Sequence, residues 1–107
     1  MLPRIELDER MLIHLALQDG FEGDEVAISV DEREAYRAEG VTTRTQISHA
    51  ADMQLEVPDR PFVLGVDVTT REVRETFDID PHAHPNVSVS LREGRLVARF
   101  PEQIGFV

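Results

Sequence analysis

A two-residue break, Glu93-Gly94, separates two segments whose apolar residues alternate in step, and nowhere else does this chain leave its backbone so little choice. Val87, Val89 and Leu91 lie before the break, and Leu96, Ala98 and Phe100 after it. Glycine supplies the positive φ that a tight hairpin requires. The turn then sets Leu91 opposite Leu96, Val89 opposite Ala98 and Val87 opposite Phe100, all six on one face. A slip of one residue would turn every one of them to the other side. Ser88, Ser90, Arg92, Arg95 and Arg99 fall on the opposite face, with Val97 the one apolar residue among them.

Further strands are expected at 25–30, where Val26, Ile28 and Val30 alternate with Ala27 and Ser29, and from Val41, where Val41, Thr43, Thr45 and Ile47 share a face. Residues 53–57 alternate cleanly, and 62–68 point Phe62, Leu64, Val66 and Val68 inward. Pro58 and Pro61 confine pairing near them to an edge. Residues 71–79 suit a strand through Val73, Phe77 and Ile79, although Thr69 and Glu72 stand at capping-box spacing.

Two helices are expected as well. The first runs between Asp8, a good N-cap, and Gly20. Met11, Leu12, Ile13, Leu15, Ala16 and Leu17 would cover most of its circumference, with Arg10, His14 and Gln18 as a narrow polar stripe. The second starts at Asp31, with Glu34 at the capping-box position, and ends at Gly40. No repeat, low-complexity tract or linker divides the chain. Residues 1–107 are therefore expected to form a single α+β domain: an N-terminal helix plus a short second helix, with a mostly antiparallel sheet or small half-open barrel of about six strands.

Composition narrows the chemistry. The 107 residues are 41% hydrophobic, enough for one core without disulfide or metal. Cysteine is absent, which excludes thiolate nucleophiles, thiolate zinc sites and disulfides. Lysine is absent too, so no Schiff base or phosphate-loop lysine exists, and all 11 cationic residues are Arg. Against them stand 21 acids, for a formal charge of −10. Such a balance argues against direct nucleic-acid binding. The acids form no long block, so a well-solvated surface is expected before any imitation of nucleic-acid charge. The N-terminus lacks a basic region followed by an apolar run, and Met11 to Leu17 is far too short to span a bilayer. No membrane association and a cytoplasmic location are the corresponding expectations.

The most specific-looking group is Asp80-Pro81-His82-Ala83-His84-Pro85. Proline favours extended chain before it, and extended residues two apart point the same way. His82, His84 and Asp80 would then face one metal ion, with His49 completing the set. A bare His-x-His has no fixed partner spacing, however, and a polar loop bounded by prolines is the simpler reading. No metal and no cofactor are expected. Ser48, His49 and Asp52 make no triad, because neighbouring strand positions point to opposite faces. No catalytic residue is nominated. Asp67, with apolar neighbours on both sides, is the carboxylate whose burial is expected to perturb it.

Two features point outward. Arg92, Arg95 and Arg99 form a basic face that suits an acidic partner or a phosphate, or that neutralises the protein's own carboxylates. The apolar end, Ile104, Phe106 and Val107, is expected to be buried in this domain or against a partner, since exposed it would drive association. The leading expectation is a non-enzymatic protein–protein interaction or assembly module that contacts a protein partner, or itself, through these residues. One alternative is a small metal-dependent enzyme or ligand-binding protein using His82, His84 and Asp80. Another is an acidic inhibitor that mimics nucleic-acid charge.

Overall fold

Eight strands and one turn of 3₁₀ helix make up the computed structural model, which describes residues 9–44 and 49–102. The strands are β1 (Arg10–Leu17), β2 (Asp24–Val30), β3 (Arg33–Val41), β4 (Ala51–Pro58), β5 (Phe62–Val68), β6 (Val73–Ile79), β7 (Asn86–Arg92) and β8 (Arg95–Arg99). They form two four-stranded sheets, β4-β1-β7-β8 and β3-β2-β5-β6, which do not close into a barrel. Every pairing is antiparallel except that of β1 with β7.

The inner faces of the two sheets supply the core. Ile13, Leu15 and Leu17 of β1, Leu55 and Val57 of β4, and Val87 and Val89 of β7 come from one sheet. Val26 and Ile28 of β2 and Leu64, Val66 and Val68 of β5 come from the other. Side chains of this kind each contribute roughly 1.5–3 kcal/mol when fully buried, so this interlayer is what holds the sheets together.

The fold is all-β, and the expected α+β class is wrong on both helices. The first is β1. Its alternation of Met11, Ile13, Leu15 and Leu17 is obscured because Leu12 and Ala16 fill two of the intervening positions. β1 is flanked by β4 and β7, and Ala16 is fully buried although it faces away from the core. With apolar residues on its outer face as well, although Leu12 there is 57% exposed, the segment reads as a nearly continuous apolar run, which periodicity cannot distinguish from a buried helix. Asp8, the supposed cap, lies outside the described residues.

The second helix is β3. Asp31 and Glu32 are the central residues of a two-residue hairpin loop, at φ 50° and 72°, joining β2 to β3. No glycine marks this turn. Asp31 stabilises it by extending the ladder to β5: its N–H donates to the Val63 carbonyl (2.9 Å), and its carboxylate accepts the Val63 N–H (3.0 Å). That partner is 32 residues away, so local sequence shows only the Asp-x-x-Glu spacing and suggests a cap.

The Glu93-Gly94 hairpin has its expected register at Leu91↔Leu96 and Val89↔Ala98. Both turn residues have positive φ, 52° and 78°. The third expected pair is not formed, because β8 stops at Arg99 and Phe100 is left 42% exposed. The strand expected from Val41 onward is not formed at 42–44 either: β3 ends at Val41, Arg44 makes an isolated bridge to His49, and Thr45 and Ile47 lie outside the described residues.

Candidate functional site

The smallest outward-facing side chains of the β3-β2-β5-β6 sheet lie together on its two central strands. In the cross-strand register, Arg37, Ala27, Asp67 and Arg74 form one row across the sheet. Glu34, Ser29, Gly65 and Thr76 form the next. A third row brings Asp31 to Val63 and Asp78. The central positions Ala27, Ser29 and Gly65 are low and the longer charged side chains around them stand up, so the sheet carries a shallow trough. It comprises a depression of about 180 Å³ over Ala27, Ser29 and Gly65, continuing into one of about 340 Å³ toward Val63 and Thr76. Glycine within a strand often marks close approach of another group. At Gly65 part of the reason is internal, since a Cβ there would lie 2.3 Å from the Ser29 hydroxyl.

The charges around the trough differ in how they are satisfied. Arg37 is fully engaged, donating to Glu34 (2.7 Å) and Glu25 (3.0 Å). Those bonds raise its own pKa and hold Glu34 below the usual carboxylate range. Glu25 is likewise held low, first by the Thr69 hydroxyl and then by Arg37. Asp31 pairs with Arg60 at 3.4 Å. Glu32, Asp67 and Arg74 have no hydrogen-bond or ion-pair partner among the described residues, although Asp67 and Arg74 stand directly opposite each other.

The buried carboxylate of this sheet is Asp24, not Asp67, which is only half-buried. Burial opposes ionisation of Asp24. The Arg71 Nε (2.9 Å), the Glu22 N–H (2.8 Å) and the Thr70 hydroxyl (2.7 Å) outweigh it and hold the carboxyl below its ordinary range. This cluster fastens the 3₁₀ turn (Thr69–Arg71) to the start of β2, so it is structural.

The histidine group does not assemble. Residues 80–84 are a tight turn in place of the expected extended chain, with the Ala83 and His84 N–H groups donating to the Asp80 carbonyl (3.1 and 2.8 Å). Proline at 81 acts on Asp80, and beyond it the turn is free to close. Asp80 spends a carboxylate oxygen on the His82 N–H. The His82 ring pairs with Asp59, while the His84 ring stacks on Phe100 with centroids 4.3 Å apart. His49 precedes β4 and Asp59 follows it; eight strand residues at about 3.3 Å each separate them. No group of three or more metal-ligating side chains occurs among the described residues.

Asp52 takes His14 as its partner, at 3.5 Å on the outer face of the first sheet, and Ser48 lies outside the described residues. Arg92 and Arg95 face each other across the hairpin, and each reaches a carboxylate of its own chain, Asp19 (3.6 Å) and Glu75 (3.9 Å). Arg99 is exposed and lies opposite Ser88. Ile104, Phe106 and Val107 lie outside the described residues. The trough was missed by sequence reasoning because its floor and walls come from four strands. Its one local signal was Gly65 within an otherwise valine-rich strand. Among the described residues no helix is long and apolar enough to cross a membrane. Comparison with protein-family models, with curated proteins and with solved structures finds no match.

Proposed function

We propose that this protein is a non-enzymatic interaction module, a small acidic subunit or adaptor, that receives a partner protein on the outer face of the β3-β2-β5-β6 sheet. The observation that supports this reading is the trough over Ala27, Ser29 and Gly65. It is open, shallow and bordered by charges of both signs, three of them without partners among the described residues. A shallow site of this form gives a polypeptide backbone room to approach and encloses no small molecule, whose sites are usually deeper and more apolar. The reading also draws support from chemistry the chain lacks, namely cysteine and lysine. A cytoplasmic location is part of the proposal.

Metal-dependent chemistry at His82, His84 and Asp80 has no geometric support, since the rings go to separate partners. Imitation of nucleic-acid charge is the less favoured reading: the second sheet carries seven of the nine strand carboxylates, but Arg33, Arg37 and Arg74 stand among them.

The test is affinity capture from native extract using immobilised wild type and Ser29→Tyr, whose ring fills the trough. Proteins retained by wild type and lost with the variant, at unchanged melting temperature, support the reading. An identical retained set from both baits overturns it.

A further inference from the structure

Resting on the interaction-module reading, we propose that the trough takes an extended segment of partner protein carrying an arginine or lysine, whose cationic group seats over Gly65 between Asp67 and Glu32. Charge complementarity selects this occupant. The residues lining the two depressions include four carboxylates, Asp31, Glu32, Glu34 and Asp67, against two guanidinium groups, Arg37 and Arg74. Arg37 is committed to Glu25 and Glu34, and Asp31 to Arg60. What is left for a visitor is Asp67 on one wall, Glu32 at the other and Arg74 alone of the cations. An anionic segment would gain Arg74 and meet every remaining carboxylate of the trough. A cationic one gains two carboxylates and meets one guanidinium.

The floor suits the same occupant. Gly65 and Ser29 are directly paired and present no side chain larger than a hydroxyl, so a long cationic side chain can lie along them with its stem against Val63. The Ser29 and Thr76 hydroxyls flank the seat and accept hydrogen bonds from an ammonium or guanidinium. The chain's charge of −10 draws such a segment in from a distance, while the trough gives it a place.

The role of Arg74 makes the proposal falsifiable. It lines both depressions and is the one uncommitted cation there, so it competes with the guest. The experiment is fluorescence anisotropy with two labelled peptides, Gly-Ala-Ala-Arg-Ala-Ala-Gly and the same peptide with Glu for Arg, at low ionic strength. Wild type is expected to bind the Arg peptide and not the Glu peptide. Asp67→Asn is expected to weaken Arg-peptide binding about tenfold, and Arg74→Ala to strengthen it about threefold. Glu56→Gln, an equal loss of charge on the first sheet, is expected to leave it within a factor of two. Circular dichroism confirms that each variant folds. Preference for the Glu peptide, loss of binding in Arg74→Ala, or equal weakening by Asp67→Asn and Glu56→Gln overturns the proposal. Binding of neither peptide overturns this partner chemistry, whereas the interaction reading falls only if Ser29→Tyr also leaves protein capture unchanged.

Discussion

Asp24 shows how one residue is made secure at a place where its charge should be a liability. It is 3% exposed, and three donors from two segments surround it. Asp24→Asn keeps the shape and loses the charge-assisted bond from Arg71. It is expected to cost about 1–3 kcal/mol near neutral pH, measured by urea unfolding. The pH dependence has a definite sign. The folded carboxyl titrates below its ordinary value of 3.8 and the unfolded one at it, so the stabilisation is complete above that value. It is lost as pH falls through the lower folded value, and the wild-type advantage over Asp24→Asn should shrink in that window. Gly20 is the other residue with no substitute. Its φ is 93°, and a Cβ there would lie 1.8 Å from the Leu91 carbonyl oxygen, which is backbone and cannot swing away. Gly20→Ala is expected to destabilise by at least about 2 kcal/mol, through strain and displacement of β7 together. An unchanged denaturation midpoint would show that this close approach is absent.

Two hairpins with two-residue loops illustrate, at the level of elements, different routes to the same turn. In 93–94 the second position is Gly, and Glu93 carries the unfavourable φ alone. Asn is the residue that such a turn prefers there, so Glu93→Asn is expected to stabilise by about 0.5–1 kcal/mol. Gly94→Val is expected to destabilise by about 1–3 kcal/mol. Both follow from thermal unfolding. The 31–32 hairpin has no Gly and relies on the bonds of Asp31 to β5, so its stability is tertiary. The sheet edges carry their own protection. β3 pairs with β2 through two register irregularities, and β4 ends in Pro58 and presents Asp52, Gln54 and Glu56 outward. Bulges, proline and charge all discourage strand addition. β3 and β4 are two of the four edge strands; β6 and β8 are the other two.

Across the whole molecule the acidic excess outweighs the cations available to balance it. The described ion pairs of Arg37, Arg60, Arg71, Arg92 and Arg95 bring guanidinium groups to carboxylates of the second sheet, to its Asp31 turn and to Asp19 after β1, yet the formal charge remains −10. Most of these pairs are exposed and contribute little individually. Repulsion summed over the surface is longer-ranged and is what dissolved salt screens first. The melting temperature is therefore expected to rise between about 0.01 M and 0.5 M potassium chloride, where the Debye length contracts from roughly 30 Å to less than 10 Å. A fall over that range would mean that local pairs dominate the charge energetics.

Local alternation determined the strands at β2 and β5, and alternation together with turn chemistry determined β7, β8 and the 93–94 register, because there the pattern of period two and the turn residue agree. Residues 53–57 and 73–79 were legible from alternation, whereas Arg71 and Glu72, expected in the same strand, belong to the 3₁₀ turn and its cap. Tertiary structure decided β1 and β3. A strand that carries apolar residues on its outer face too, as β1 does at Leu12 and Ala16, loses its alternation, and an Asp-x-x-Glu spacing caps a helix only if no distant N–H claims the aspartate. In this chain Val63 claims it. The candidate site depended on the same kind of information. Ala27, Ser29, Gly65 and Thr76 are separated along the chain and become a trough only when β2, β5 and β6 pair. Conversely, Asp80, His82 and His84 look assembled along the chain and are parted by a turn. Spacing in sequence reports which side chains share a strand face, while strand pairing alone reports which strands share a surface.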